Sequence, residues 1–251
     1  MNNIRVVLYG IGAVGSRIAK FLLEKNGIEV VGAIDVARDK VGRDLGEVLG
    51  FEKRLGVVIS DDADAVLSKV KADIVVHATS SFIKEVYPQL EKVITHGVDV
   101  VSTCEELSYP YVTNPELAKK LDQLAKKHSV TVLGTGINPG FLMDTLVITL
   151  TGVCQKVNKI KVTRLMNAGT RRVPFQKKIG AGLTVDKFKE KIENKIITGH
   201  VGLEQSIAMI ADALGWKLNK IKVDPVEPVI AKKYVESEAI KVKPEQAAGL
   251  R

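Results

Sequence analysis

The chain has 251 residues, a net charge of +8 and 45 % hydrophobic residues, enough to bury a core in one large domain or two smaller ones. Aromatic residues make up only 5 % and the lysines are dispersed, which favours a solvated lysine surface over a nucleic-acid interface. No apolar run approaches the roughly 20 residues that span a membrane, and the N-terminus lacks the apolar core of a signal peptide. Cys104 and Cys154 show neither metal-ligand spacing nor a disulfide framework, so we expect a cytoplasmic protein without a metal.

Residues 4–23 predict a strand, a glycine-rich turn and a helix. Gly10 permits the tight turn, Gly12 lets the backbone approach a pyrophosphate, and Gly15 lets the helix lie close to the strand. The helix N-terminus offers free N–H groups and a positive dipole to phosphates. The segment therefore predicts a dinucleotide site, and the alternative is a glycine turn that binds nothing. The residues expected to contact the cofactor are Gly10, Ile11, Gly12, Ala13, Val14 and Gly15.

A second apolar run, residues 29–34, predicts a strand that ends on Asp35. This acid lies 20 residues beyond Gly15, at the spacing where a carboxylate accepts hydrogen bonds from a ribose diol. Asp35 should repel a 2′-phosphate, so we expect NAD to bind at least as well as NADP. The positive charges of Arg38 and Lys40, which follow closely, would soften that preference.

Strands and helices alternate as far as residue 134, which predicts an α/β fold, a Rossmann-type doubly wound parallel sheet. We expect this dinucleotide-binding domain to cover residues 1–149. A smaller α+β domain for substrate binding and oligomerisation should cover residues 150–251. The further strands of the predicted sheet are residues 57–59, 73–78, 98–102 and 130–134, and helices are expected over 62–70, over 86–96 and from Asn114-Pro115 onwards.

Polar residues follow the predicted strands, and ligands of open parallel sheets bind beyond the carboxyl ends of strands. Thr79, Ser80 and Ser81 follow one strand, and their hydroxyls suit either the cofactor's ribose and phosphates or ordinary strand-end capping. Glu105 and Glu106 follow the next strand. Two adjacent carboxylates at such a site are costly to bury without partners, which favours a catalytic or substrate-binding role over a simple helix start. Cys104 is expected to pack in the core rather than act as a nucleophile.

A third strand-end segment, Gly134 to Phe141, contains Asn138 and Pro139. Asn138 suits an N-cap and Pro139 the first position of a helix. The flanking glycines permit close approach by a flat ligand such as nicotinamide, so Asn138 is also a candidate cofactor contact. A helix start without a binding role is the alternative.

The second half of the chain has a different pattern. Residues 157–166 alternate and predict a longer strand, Thr184 predicts the cap of a helix, and a second helix is expected over 202–214. Further strands are expected over 220–223, 228–232 and 239–242. The last residues, 247–251, are expected to leave this domain incomplete. The residues expected to line the substrate pocket are Phe141, Arg164, Asn167 and Arg171; for the arginines, which suit carboxylates, a solvated basic edge is the alternative.

Three segments together resemble a known group of enzymes: Gly10 to Gly15, Ser102 to Leu107 (Ser-Thr-Cys-Glu-Glu-Leu), and Gly136 to Phe141 (Gly-Ile-Asn-Pro-Gly-Phe). They are similar to the 2,4-diaminopentanoate dehydrogenases and the native amine dehydrogenases, distant relatives of dihydrodipicolinate reductase. The resemblance implies an NAD(P)-dependent oxidoreductase acting on a CH–NH2 group, and a homodimer or larger oligomer formed through the second domain's sheet. It also implies that a carboxylate in the second segment binds the amine and assists proton transfer, with Glu105 as first choice and Glu106 as second.

Two other functions stay open. One is imine reduction as in dihydrodipicolinate reductase, although that enzyme's His-His pair and its Lys-Asp-Ala-Pro-Ser-Gly-Thr run have no counterpart in this sequence. The other is a cofactor-binding protein without turnover. Family members run beyond residue 251, which places activity of this chain in question.

Overall fold

The computed structural model describes residues 3–170, 173–194, 196–197, 199–238 and 240–251. The chain divides into two compact units. The first comprises Met1–Cys154 and Val201–Ile221, and the second comprises Gln155–His200 and Lys222–Arg251. A late stretch of the chain thus belongs to the first unit. The functional division near residue 150 into a cofactor domain and a substrate domain stays a prediction.

A six-stranded parallel sheet forms the centre of the first unit, which confirms the predicted fold class. Its strand order is β3-β2-β1-β4-β5-β6, so the direction of winding reverses between β1 and β4, where ligands of such sheets bind. The strands are β1 (Ile4–Tyr9), β2 (Ile28–Ile34), β3 (Ile59–Ser60), β4 (Ile74–His77), β5 (Asp99–Ser102) and β6 (Val132–Gly134).

Helices cover both faces of this sheet because alternate strand residues point to opposite sides. In β1, Val6 and Leu8 pack with Ala19 and other residues on one face, whereas Val7 and Tyr9 belong to a second core on the other face. No helix in the described part of the chain has the length and apolar character needed to cross a membrane. The helices, in chain order, are α1 (Gly15–Leu23), α2 (Leu45–Leu49), α3 (Ala63–Lys69), α4 (Ile83–Thr95), α5 (Pro115–His128), α6 (Thr145–Thr151), α7 (Val173–Lys178), α8 (Val185–Glu193) and α9 (Leu203–Ala213).

The register of the sheet aligns the ends of five strands. Tyr9 pairs with Ile34 on one side and with His77 on the other; His77 pairs with Ser102, which pairs with Gly134. These five residues form one row across the carboxyl edge of the sheet. The segments singled out in the sequence begin within three residues after this row, so the register brings them to the same edge.

The second unit contains α7, α8 and two small antiparallel sheets. Its core is formed by Phe188, Ile197 and Ala247, and Thr184 caps α8 as predicted, with its hydroxyl accepting a hydrogen bond from the backbone N–H of Lys187. The strands are β7 (Pro228–Ile230), β8 (Val235–Glu236), β9 (Lys241–Val242) and β10 (Ala247–Leu250); β7 pairs with β10 and β8 with β9.

Two strands predicted in this half are wrong. Residues 157–166 and 220–223 are irregular, and no strand of the described residues pairs with either of them. Alternating polarity favours an extended chain, but a strand also needs a neighbour for its backbone hydrogen bonds. Ala239, the first residue of the strand predicted over 239–242, lies outside the described residues.

Candidate active site at the carboxyl edge of the sheet

The glycine loop (residues 10–15) joins β1 to α1 in a conformation that only small residues permit. Gly10 has φ 96°, and a Cβ there would lie 2.5 Å from the carbonyl oxygen of Ala78. A Cβ on Gly15 would lie 1.8 Å from the carbonyl oxygen of Gly10. A Cβ on Gly12, by contrast, would meet no atom within 4 Å. Gly10 and Gly15 are therefore required by the fold itself, and Gly12 faces open space at the N-terminus of α1.

Backbone donors surround that open space. The N–H groups of Gly12, Ala13 and Val14 donate no hydrogen bond within the described residues. All three residues are exposed, and α1 begins immediately after them. Free N–H groups at a helix N-terminus, with the helix dipole behind them, fit the pyrophosphate of a dinucleotide.

Asp35 is buried at the end of β2 and holds the glycine loop in place. Its Oδ2 accepts a hydrogen bond from the backbone N–H of Ile11 at 2.7 Å, and its Oδ1 accepts one from Ala37 at 2.8 Å. Lys40 Nζ lies 3.3 Å from Oδ2 and donates to the carbonyl of Ile11 at 2.9 Å. Burial raises the pKa of Asp35, but the N–H groups of Ala37 and Ile11 and the Lys40 ammonium outweigh it, so the pKa lies below its ordinary value.

Hydroxyl groups after β4 are engaged within the protein. Thr79 Oγ1 donates to Gln89 Oε1 at 2.7 Å, and the Ser80 hydroxyl donates to the Glu85 carboxylate. The carbonyl of Ser81 accepts a hydrogen bond from the backbone N–H of Glu106. A cofactor contact from Thr79, Ser80 or Ser81 stays a prediction, and so does the alternative of strand-end capping.

His77, in the row at the sheet edge, is a core residue that links neighbouring strands. Its side chain is fully buried; Nδ1 lies 2.9 Å from Ser102 Oγ and Nε2 lies 2.7 Å from Gln89 Oε1. Since the Gln89 oxygen can only accept, Nε2 carries the proton and Nδ1 accepts from the serine hydroxyl. Burial lowers the pKa of His77, and the hydrogen bond to Gln89 opposes this in part. The imidazole is therefore held neutral.

Glu106 caps a helix that belongs to another segment of the chain. Phe82, at the N-cap of α4, has no side-chain oxygen, and Glu106 Oε2 instead accepts a hydrogen bond from the backbone N–H of Ile83 at 2.8 Å. Asn114 Nδ2 lies 3.4 Å from the same oxygen. A carboxylate near a helix N-terminus also interacts favourably with the dipole. The fold thus provides Glu106 with partners.

Glu105 differs from its neighbour, because no described residue donates to its carboxylate. It begins the glutamate turn (Glu105–Ser108), a single 3₁₀ turn three residues beyond Ser102, and it is partly exposed. Cys104, immediately before it, is fully buried, and burial raises the pKa of its thiol to about 12. The Cys104 thiol therefore packs in the core. Of the two glutamate carboxylates, that of Glu105 is the one without a hydrogen-bond donor among the described residues.

The proline loop (residues 135–144) follows β6. The prediction that Asn138 caps a helix with Pro139 at its first position is wrong: the Asn138–Pro139 peptide is cis, and Gly140 has φ 114°, which no right-handed helix contains. Helix α6 begins later, with Asp144 as N-cap. Asp144 is fully buried; its Oδ1 accepts from the N–H of Thr145, and its Oδ2 accepts from the N–H of Gly140 at 2.8 Å.

The predicted substrate residues are divided between the units. Phe141 lies in the proline loop and is half-exposed. Arg164 and Asn167 belong to the second unit and are exposed; Asn167 Oδ1 accepts a hydrogen bond from the N–H of Gly169 at 2.9 Å. Arg171 lies outside the described residues. A role of these four side chains in substrate binding stays a prediction.

Sequence reasoning missed three buried polar residues beside the site: Asp144, Gln205 and Ser206. Asp144 had a recognisable signal, since a short acid before an apolar run is typical of an N-cap. Gln205 and Ser206 had none, because polar residues within an amphipathic helix are ordinarily solvated, and their partners are distant in sequence.

Comparison with known proteins extends over both halves of the chain. A family model described as the N-terminus of dihydrodipicolinate reductase matches residues 4–134. A second, described as the 2,4-diaminopentanoate dehydrogenase C-terminal domain, matches residues 141–251. The chain is also similar to a solved structure, the amine dehydrogenase from Mycobacterium smegmatis, with 32 % identity and a TM-score of 0.78 over 99 % of this chain and 73 % of that one.

Two curated relatives are longer than this chain. A 2,4-diaminopentanoate dehydrogenase of Acetoanaerobium sticklandii is 37 % identical over 233 residues, which cover 92 % of this chain and 65 % of that protein. An amine dehydrogenase of Streptomyces virginiae is 26 % identical over 224 residues, covering 87 % and 61 %. The chain therefore spans less than two thirds of the length of either relative.

Proposed function

Because the chain belongs to the family of 2,4-diaminopentanoate dehydrogenases and amine dehydrogenases, we propose that it is an NAD(P)-dependent oxidoreductase acting on the CH–NH2 group of a small amine or diamino acid. The observation that carries this proposal is the presence, at the same edge of the sheet, of a dinucleotide cradle at the glycine loop and of the Glu105 carboxylate, to which no described residue donates.

The glycine loop supports cofactor binding by its shape and its donors. The N–H groups of Gly12, Ala13 and Val14 would hold the pyrophosphate in the space that a Cβ on Gly12 would enter. Ile11 would shape the loop through its hydrogen bond to Asp35 rather than contact the phosphates with its buried side chain.

The expected preference between NAD and NADP depends on Asp35 and on the cationic side chains of Lys40 and Arg38. The carboxylate favours a ribose 2′-hydroxyl over a 2′-phosphate, but Lys40 offsets its charge and Arg38 is exposed nearby. The affinity for NAD should therefore equal or modestly exceed the affinity for NADP.

Glu105 is the residue we assign to proton transfer. A bound nicotinamide supplies the hydride acceptor, and the substrate carbon that loses the hydride becomes an iminium carbon. The Glu105 carboxylate would stabilise the iminium charge, accept a proton from the water that adds to this carbon, and return it to the nitrogen that leaves as ammonia. Glu106 is less suited to this role, because its Oε2 already accepts the hydrogen bond that caps the N-terminus of α4.

The proline loop would present the other wall of the site. It follows β6, next to β5, and its backbone is folded tightly on itself: a Cβ on Gly140 would lie 2.4 Å from the backbone nitrogen of Gly136. Asn138 and Phe141 in this loop are the candidates for contacts with the nicotinamide and the substrate.

A panel assay tests the proposal. Purified protein is incubated with NAD or NADP and with monoamines, α-amino acids and diamino acids, and reduced nicotinamide is followed by its absorbance. We expect formation of reduced cofactor with at least one amine, and the reverse reaction with the matching carbonyl compound and ammonia. Cofactor binding without turnover of any amine or carbonyl compound would contradict the proposal.

A second candidate is the reduction of a cyclic imine, which the match of residues 4–134 to dihydrodipicolinate reductase favours. The match of residues 141–251 to a different enzyme's C-terminal domain favours the amine substrate instead. Oxidation of NADPH or NADH by dihydrodipicolinate, included in the same panel, separates the two.

A further inference from the structure

Two adjacent buried residues of α9, Gln205 and Ser206, reach different loops of the candidate site. Gln205 Nε2 donates to Thr113 Oγ1 at 2.8 Å, across 92 positions of sequence. Ser206 Oγ donates to Asp144 Oδ2 at 2.7 Å, across 62 positions. One turn of α9 therefore contacts both the proline loop and the segment that follows the glutamate turn.

The contact through Gln205 continues to Glu106, the neighbour of Glu105 in the glutamate turn. Asn114 Nδ2 donates to Thr113 Oγ1 at 3.1 Å and lies 3.4 Å from Glu106 Oε2. Tyr109, between the glutamate turn and Thr113, lies near Asp212 of α9; burial and then the interaction with this carboxylate raise the pKa of its hydroxyl. The segment after Glu105 thus has a direct hydrogen bond to α9 at Thr113 and a further interaction with α9 at Tyr109.

The contact through Ser206 continues to the proline loop. Asp144 Oδ2 accepts from Ser206 and from the N–H of Gly140, so one buried carboxylate oxygen joins α9 to the bend of the loop. The N-cap of α9, Gly202, packs directly on Pro139: a Cβ at this glycine would lie 2.4 Å from the proline Cγ. The loop has no room to shift towards α9.

These polar groups are expensive to bury, and the cost is offset only while each keeps its partner. A fully satisfied buried network specifies one arrangement of the segments it joins. Catalysis depends on such placement, because a displacement of about 1 Å can cost roughly 10²-fold in rate.

We propose that Gln205 and Ser206 are positioning residues that hold the glutamate turn and the proline loop, and so fix the Glu105 carboxylate relative to the nicotinamide and the substrate carbon. The inference rests on the proposed function for its catalytic consequence. Its structural part, that α9 holds both loops, stands on the hydrogen bonds alone.

Single substitutions test it with little change in volume. Gln205→Met keeps the length of the side chain and removes the donor to Thr113, and Ser206→Ala removes the donor to Asp144. Glu204→Gln, at an exposed position of the same helix turn, is the matched control. We expect kcat for the best amine to fall roughly 10²-fold in each test variant while the KM for the cofactor changes less than twofold. The control should retain kcat within twofold.

Hydrogen–deuterium exchange of the same proteins separates this inference from the proposed function. We expect faster exchange in residues 105–114 for Gln205→Met and in residues 136–144, including the Gly140 amide, for Ser206→Ala, with no change in Glu204→Gln. Unchanged exchange in both test variants, or unchanged kcat despite faster exchange, would overturn the proposal. If Gln205→Met does not fold, Ser206→Ala decides alone. If the wild type oxidises no amine, the proposed function fails, and exchange still decides whether α9 holds the loops.

Discussion

At the residue scale, the two adjacent glutamates have different environments. Glu106 accepts hydrogen bonds that complete the start of α4, whereas the Glu105 carboxylate has no donor among the described residues. The sequence predicted that two carboxylates follow β5 and that one of them handles the amine. It could not assign the roles, because the group that occupies Glu106, the N–H of Ile83, lies 23 positions earlier in the chain.

The substitution Glu106→Gln should therefore affect stability more than activity. The amide lacks the charge that interacts with the α4 dipole, and a loss of roughly 0.5–1 kcal/mol in the free energy of unfolding is expected. Urea unfolding measures this loss, and kcat should stay within about threefold of wild type. A 10²-fold fall in kcat without loss of stability would assign the proton-transfer role to Glu106 instead.

Asp35 holds the glycine loop through the N–H of Ile11, and we expect it also to set the cofactor preference. In Asp35→Ala the repulsion of a 2′-phosphate disappears, so the ratio of NAD to NADP affinity should shift towards NADP by about tenfold, which is about 1.4 kcal/mol. Both affinities should also fall, because the N–H of Ile11 loses its acceptor. Fluorescence titration with both reduced cofactors measures the ratio, and Asp39→Ala at an exposed position is the control. An unchanged ratio in Asp35→Ala would remove Asp35 from cofactor discrimination.

His77 should make stability depend on pH in a defined window. Burial lowers its pKa in the folded state, so the unfolded chain binds a proton first as the pH falls. The folded state should therefore keep its full stability above the unfolded pKa, about 6.5, and lose stability as the pH decreases from there towards the lower folded pKa. In His77→Gln, which cannot ionise, the fall in unfolding free energy between about pH 6.5 and 5 should be smaller. Equal slopes for the two proteins would contradict a neutral buried imidazole.

At the scale of elements, we expect the glycine loop to contain one glycine needed for folding and another needed for cofactor binding. Gly15→Ala would place a Cβ against the backbone of Gly10 and should lower the free energy of unfolding by at least about 2 kcal/mol. Gly12→Ala meets open space and should leave the melting temperature almost unchanged, but its methyl group would occupy the place of the pyrophosphate and weaken cofactor binding at least about tenfold. Thermal unfolding and cofactor titration of the two variants give this contrast directly. Full cofactor affinity in Gly12→Ala would place the phosphates elsewhere.

The sheet could be predicted because its signals are local. The apolar runs of β1 and β2, the glycines between them and the Asn114-Pro115 helix start are each contained in a few residues. The prediction of a strand over residues 157–166 was wrong, because the alternation of polar and apolar residues does not indicate whether a neighbouring strand is present to pair with it. The helix expected at Pro139 failed because the conformation of Gly140, φ 114°, depends on contacts with Gly136 and Asp144 that the pattern does not contain.

At the scale of the whole molecule, the return of the chain to the first unit was not predictable from the sequence. Residues 201–221 lie between the two segments of the second unit and fall within the α+β domain predicted over 150–251, yet α9 packs in the first unit. The partners of Gln205 and Ser206 lie in loops that precede the second unit. Such long-range polar contacts form only in the folded state and leave no periodic pattern.

Assembly into a homodimer stays a prediction, as does the cytoplasmic location. The pair β7 and β10 forms a two-stranded sheet, so each strand has an unpaired edge among the described residues, and Val229 and Ile230 are exposed there. Such an edge favours association with a second copy. Light scattering at micromolar concentration should give about twice the mass of the chain, and Ile230→Lys should shift the mass towards the monomer. A wild-type protein with the mass of a single chain would contradict the prediction.

The most direct test of the account is the rate of amine oxidation by Glu105→Gln. The substitution keeps the size of the side chain and removes the charge that, in the proposed mechanism, would stabilise the iminium and transfer the proton. We predict a fall in kcat of about 10²–10⁴-fold on the best amine of the panel, with cofactor affinity and melting temperature unchanged. A variant that oxidises amines at the wild-type rate would contradict the assignment of Glu105, and with it the proposed mechanism.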